Sequence, residues 1–143
     1  MATQGQQHER EMDDPFASLS HDEFVLLTTF RTSGVGVPTA MWFAYEHGKL
    51  YMVTDRSTGK LKRIRTTRRV LVAPCDWMGN VLGPEIEGYA RELPVAQHAH
   101  ANAVLAQKYG EQYEMDSQEA DGDDEETFIE VVSTPHQLRG EQA

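Results

Sequence analysis

Cysteine occurs once in the 143 residues, at Cys75. A single thiol cannot close an internal disulfide, and no Cys/His cluster has the spacing of a zinc site. Long apolar runs are also missing. None approaches the roughly 18 residues needed to span a bilayer, which argues against a membrane protein. The N-terminal stretch MATQGQQHEREMDDP has neither a basic start nor an apolar segment, so it does not read as a secretory signal. Basic residues are in deficit: 13 Lys and Arg face 23 Asp and Glu, a net charge of −10. That is the reverse of the balance expected of a general nucleic-acid binder. What remains is a cytoplasmic protein of one domain, long enough to bury a core of its own.

The basic residues are unevenly spread. Residues 55–69 (DRSTGKLKRIRTTRR) hold seven of them against one acid, a local charge of +6 that leaves −16 on the rest of the chain. Such an island either meets a local anionic partner or is the solvated face of a helix. Nucleic acid is a poor candidate, because the acidic remainder repels a polyanion and no aromatic residues interleave with the basic ones for base stacking.

Periodicity divides the chain into short elements. Residues 1–14 lack any pattern and read as a mobile tail. Residues 15–22 fit a short helix with Phe16 and Leu19 inward. Strands are expected at 24–30 (FVLLTTF), 37–46, 49–54, 69–76, 85–94 and 127–133. Pro38 cannot donate to a ladder and belongs at a strand start or edge. His47-Gly48 is a tight hairpin signal. Leu61 and Ile64, spaced i, i+3 among basic residues, indicate a short amphipathic helix over 58–66 that Ser57 or Thr58 can cap. The alanine-rich stretch 95–110 is the best helix, ending at Gly110. Residues 114–126 carry eight acids in thirteen positions and read as an exposed loop; aligning Gly122 with the sixth position of a calcium loop puts Phe128 at the twelfth, so the ligand pattern fails. Residues 136–143 form a polar tail. Six short strands joined by tight turns argue for an antiparallel barrel, mainly β in class, with a domain over 15–135.

One stretch carries chemistry. In VTDRSTGKLKRIR (53–65), Thr54, Ser57 and Thr58 offer hydroxyls, and Gly59 lets backbone approach a ligand. A helix starts there with unpaired N–H groups, and Lys60 and Arg63 lie one turn apart, with Arg56 preceding. These groups suit a phosphate. The order of a Walker loop is absent.

The run LLTTFRTSGVGVPTAMWFAYEHGKLYMVT, followed by STGKLKRIR and RVLVAPCD, resembles the pyridoxamine-phosphate-oxidase-like split barrels, and within them the group that uses the deazaflavin coenzyme F420. The likeness spans about residues 20–94. It implies a six-stranded antiparallel split barrel and a homodimer with cofactor sites at the interface. It assigns the coenzyme's phosphate tail to Thr54, Arg56, Ser57, Gly59 and Lys60, with Val53 and Arg63 completing that side. It sets the ring against the backbone of Val37, Pro38 and Thr39, and lets Trp77 contribute across the interface. Two departures stand out: Ala40 and Met41 precede Trp42 where many relatives have proline and valine, and the acidic loop is long.

The activity implied is hydride transfer between C5 of the deazaflavin and a small organic substrate, with no protein acid, base or nucleophile nominated. FMN is the alternative cofactor, since it too joins a ring to a phosphate. A non-catalytic flavin, deazaflavin or haem binder is the alternative from another class. Other residues read more plainly. Cys75 in an apolar strand is an inert packing residue. His98 and His100, two apart on a helix, face different ways and make no metal pair. Trp42 serves packing or a substrate pocket.

Overall fold

A computed structural model describes residues 14–113 and 125–135. The tail before Asp14, the acidic loop over 114–124 and the tail 136–143 lie outside the described residues. Seven strands form one antiparallel sheet: β1 (Phe24–Phe30), β2 (Gly36–Trp42), β3 (Ala44–Glu46), β4 (Lys49–Asp55), β5 (Arg69–Cys75), β6 (Ile86–Glu92) and β7 (Glu126–Val132). Helix α1 spans Gly59–Thr66 and helix α2 spans His98–Tyr109, with 3-10 turns at Pro15–Leu19 and Val95–Gln97.

The strand order is β2-β1-β5-β6-β7-β4-β3. This corrects the expected count of six. The segment 37–46 reads as one strand, but it breaks at Phe43 and its two parts take opposite ends of the sheet. The hydrogen-bonded sheet is therefore open rather than a closed six-stranded barrel. β2 and β3 do not pair with each other, and Phe43 carries the chain from one edge to the other.

The break has a physical cause. The Phe43 side chain is fully buried in the core, while its backbone belongs to neither ladder. The C-terminal turn of α2 satisfies that backbone instead. Phe43 N–H donates to the Tyr109 hydroxyl at 2.9 Å, and Phe43 O accepts from Lys108 Nζ at 2.9 Å. The Tyr109 hydroxyl also lies 2.7 Å from both Phe43 O and Glu23 O, and Lys108 Nζ donates to Asp22 O at 2.6 Å. The Lys108 ammonium stands 3.6 Å from the centroid of the Phe43 ring, a cation–π contact.

Strand alternation builds the core. Val25 and Leu27 of β1, Val70 and Val72 of β5, and Ile129 and Val131 of β7 point inward with Leu50 and Met52 of β4. Leu61 and Ile64 of α1 are buried in the same cluster, as the i, i+3 spacing requires, and so are Phe16 and Leu19 from the first turn. On the other side, α2 packs Ala101 and Leu105 against Tyr51 and Phe128. The β3–β4 hairpin turns at His47 (φ 50°) and Gly48 (φ 80°), the left-handed pair that a two-residue turn demands. Pro38 lies on edge strand β2, and β5 is an interior strand between β1 and β6. Among the described residues no helix is long and apolar enough to cross a membrane.

Tyr109→Phe removes the hydroxyl that accepts from Phe43 N–H. We expect a loss of about 1–3 kcal/mol of stability, the range for a buried donor left unpaired. Urea unfolding should show a lower midpoint with an unchanged slope.

Candidate cofactor cleft

β3 pairs only with Lys49–Tyr51, the first part of β4. Among the described residues, the same side of β4 has no paired strand beyond Tyr51, and β2 is paired on one side only. Near this split, where the end of β2 approaches β4, lies a cleft of about 300 Å³. One wall is apolar and aromatic: Met41 and Trp42 from β2, Val53 from β4 and Tyr113 from beyond α2. The indole of Trp42 stacks on Tyr109 with centroids 4.6 Å apart and lies 6.3 Å from Tyr113. Tyr113 is held by its hydroxyl, which donates to Asn102 Oδ1 at 2.6 Å. This wall offers a stacked aromatic face of the kind a flat ring packs against.

The other wall is polar: Thr54, Asp55, Thr58, Lys60 and Glu126. Lys60 Nζ donates to Thr54 Oγ1 at 3.1 Å. Burial lowers the pKa of this ammonium, Asp55 pulls it back up, and Arg63 lowers it further. The Thr58 hydroxyl donates to Asp55 O at 3.0 Å and so does not cap α1, although Thr58 is its N-cap residue. The first N–H groups of that helix have no side-chain acceptor from the cap.

On the other flank of α1 a concavity of about 280 Å³ is lined by Phe30, Arg31, Thr32, Gly59, Lys62, Arg63 and Thr66. Arg63 Nε donates to Thr29 Oγ1 at 2.7 Å. Two further hollows share Arg91 and Glu92 and bring in Arg56, Arg65, Arg68 and His98, so the basic residues extend well past the cleft. The cations fall into two sets. Arg56 pairs with Glu125, Arg65 with Glu92, Arg69 with Glu87 and Arg91 with Glu130. Lys60, Lys62 and Arg63 have no carboxylate partner among the described residues.

Of the residues expected from the sequence, the cleft brings together Val53, Thr54 and Lys60. Gly59 and Arg63 lie on the other flank of α1, so Lys60 and Arg63 face neighbouring hollows rather than one. Arg56 lines the hollow beside Arg91 and is engaged by Glu125 at 2.6 Å. Ser57 is exposed in the turn before α1. Val37, Pro38 and Thr39 lie on the edge strand β2, toward the end opposite Trp42, and do not line the cleft. Trp77 is 73% exposed in the loop after β5 and does not line the cleft. The sequence reading missed Tyr113, Asp55 and Glu126. Asp55 and Glu126 stand opposite each other in the β4–β7 register, and only that pairing brings them to one wall.

No protein-family profile and no curated protein sequence matches the chain. Solved structures do. A proposed pyridoxamine 5'-phosphate oxidase from Listeria innocua is 18% identical, with 85% of this chain and 93% of that one covered and a TM-score of 0.58. An F420 reductase is 18% identical, with 83% and 92% covered and a TM-score of 0.56. A heme storage protein from Vibrio cholerae is 10% identical, with 85% and 90% covered and a TM-score of 0.62. The chain has the fold of these split-barrel proteins. At such identities the likeness concerns the fold, and chemistry has to be argued from the site.

Cys75 and the two histidines of α2 lie outside the cleft lining. Cys75 is buried, and burial, with Asp76 and Asp22 nearby, pushes its thiol pKa up. His98 Nε2 donates to Leu93 O at 2.9 Å, and His100 meets Glu46 at 2.5 Å. Among the described residues no three His, Cys, Asp or Glu could hold a metal.

The lowered Lys60 ammonium sets a pH dependence. Only its protonated form attracts an anion, so the Lys60 contribution to binding a phosphate-bearing ligand is present at low pH and lost as pH rises through the lowered pKa. That loss should begin earlier than for an ordinary lysine. Lys60→Arg should move it to higher pH, read as affinity against pH between neutrality and about pH 10.

Proposed function

We propose that this chain is an F420-dependent oxidoreductase of the split-barrel class, acting in the cytoplasm on a small organic molecule. The observation that carries the reading is one arrangement: an aromatic wall beside the first turn of a basic helix whose Lys60, Lys62 and Arg63 form no ion pair among the described residues, with Asp55 and Glu126 lining the same cleft as Lys60. The residues fit the group. Trp42, Met41, Val53 and Tyr113 offer an apolar surface to a flat ring, and Thr54, Ser57, Gly59, Lys60 and Arg63 offer hydroxyls, close backbone and charge to a phosphate. When bound, the deazaflavin would supply hydride transfer at its C5. The protein's own residues would hold the phosphate, fix the ring against Trp42 and keep water from the apolar wall. No side chain in the cleft is assigned as proton donor or acceptor.

The excess of arginines around α1 favours a longer anionic ligand over FMN, although Arg56, Arg65 and Arg91 in the hollows past the cleft are each paired with a carboxylate. FMN on the same fold is the second reading. The heme storage protein of this fold supports a third, a binder without turnover. A homodimer belongs to the proposal. Trp77, Met78, Val81 and Leu82 are exposed at 73%, 69%, 53% and 65%, an apolar surface larger than scattered single residues make. The loop bearing them is stiff, since Asp76 accepts from Met78 N–H and Asn80 N–H, both at 2.9 Å. In this proposal the loop meets the partner protomer, where Trp77 would reach the partner's cofactor.

Titration of the purified protein with F420 and separately with FMN, followed by fluorescence, tests the reading. F420 should bind more tightly than FMN. Lys60→Ala should weaken F420 by about tenfold or more, the worth of one charge-assisted hydrogen bond. Reduced F420 should then be reoxidised by some electrophilic acceptor. Preferential FMN binding moves the protein to the flavin reading, binding without turnover favours the carrier, and binding of neither sinks the proposal.

A further inference from the structure

We infer that Asn102 of α2 is a positioning residue for the cleft: it engages the hydroxyl of Tyr113, so that this tyrosine presents its ring, and not its hydroxyl, to the ligand. That the ligand carries a flat ring rests on the cofactor reading above, whereas the positioning stands on contacts within the protein.

Tyr113 reaches the cleft by a different route from the rest of the lining. The other lining residues belong to strands or to the start of α1. Tyr113 comes after α2 has ended at Gly110, where φ is 63° and the chain leaves the helix axis. Its side chain nevertheless reaches back to the second turn of α2, eleven positions earlier. There its hydroxyl donates to Asn102 Oδ1 at 2.6 Å. Tyr113 is 3% exposed, whereas Asn102 is exposed. A buried tyrosine hydroxyl needs a partner, and here the partner is on the helix.

The helix face that carries Asn102 has a second task. Asn102, Ala106 and Tyr109 are spaced i, i+4 and i+7 and share one side of α2. Tyr109 stacks on Trp42 at 4.6 Å, and Asn102 holds Tyr113. Ala106, between them, packs against the cluster that contains Tyr113. One face of α2 therefore sets both rings of the aromatic wall, one by stacking and one by a hydrogen bond. The Trp42 and Tyr113 rings stand 6.3 Å apart at 40°, so a flat ligand lying on one is bounded by the other.

The bond also restricts the chemistry. The tyrosine hydroxyl has one proton, and it is directed to Asn102 rather than to the ligand. Tyr113 thus serves the cleft as an apolar surface. Taking the Asn102 acceptor away leaves a hydroxyl that is costly to bury, and turning it toward water carries the ring out of the wall.

The full-length protein is compared with Asn102→Leu, Asn102→Asp, Tyr113→Phe and the double variant Asn102→Leu/Tyr113→Phe. Position 102 is exposed and leucine favours a helix, so α2 should persist, which far-UV circular dichroism checks. Near-UV circular dichroism of the ligand-free protein reports the fixed rings. Fluorescence titration gives the affinity for F420 and for riboflavin. Asn102→Leu should lose near-UV intensity and weaken both ligands by about fivefold. Asn102→Asp keeps an acceptor and should match the parent. Tyr113→Phe leaves no hydroxyl to strand, so it should stay within about threefold of the parent and should restore the double variant. A general defect at position 102 would not be suppressed by a change at 113. The inference is overturned if Asn102→Leu matches the parent in both readouts, or if the double variant is as weak as Asn102→Leu. It is also overturned if Tyr113→Phe is the most damaging change, because the hydroxyl would then act on the ligand. If the near-UV pattern follows this order while neither F420 nor riboflavin binds, the positioning role survives and the cofactor reading does not. If F420 binds in a Lys60-dependent way and all four variants match the parent, the cofactor reading survives and this inference does not.

Discussion

The fold depends on how one residue is treated. Phe43 has to leave both ladders so that a single segment can supply the two edges of the sheet, and an unpaired backbone group in a core is unfavourable by itself. Lys108 and Tyr109 remove that penalty from the far end of α2, across 65 and 66 positions of sequence. The same two residues reach Asp22 and Glu23 at the start of β1. The helix thereby fixes the break, the first strand and, through the Trp42–Tyr109 stack, the aromatic wall. Without that clamp the end of β2 has no defined direction and the cleft has no fixed width.

Electrostatics then divides the surface. The chain as a whole is acidic, so a bare arginine is easily answered by a carboxylate, and most of those around α1 are. The cations left without one are grouped on two sides of the first helical turn, and the two sides are unlike. One places a single ammonium among carboxylates and aromatic rings. The other gathers cations around a glycine.

Much of this could be read in the sequence. Alternation located the strands, the i, i+3 pair Leu61 and Ile64 located α1, and His47-Gly48 and Gly110 located a turn and a helix end. Lys60 and Thr54 were named from one local segment of the chain, and the structure puts both on one wall of the cleft. The break at Phe43 was not legible, because a buried phenylalanine looks the same in a continuous strand. Its signal lies in a lysine and a tyrosine two elements away. Tyr113, Asp55 and Glu126 were missed for a similar reason, since strand register, not neighbourhood in sequence, brings them to the wall. The bond between Arg63 and Thr29 joins residues 34 apart and left no local trace.

Pro38 has a meaning beyond its place on an edge strand. The outer side of β2 is an unsatisfied strand edge, and such edges recruit other strands unless something blocks them. Pro38 pairs with Thr28 inside an uninterrupted run of partners from β1, so its nitrogen, which bears no hydrogen, faces outward. An incoming strand would meet a missing donor in the middle of the ladder. The split beside β2 is therefore protected from being zipped shut by foreign peptide, and stays open to molecules too small to need a ladder.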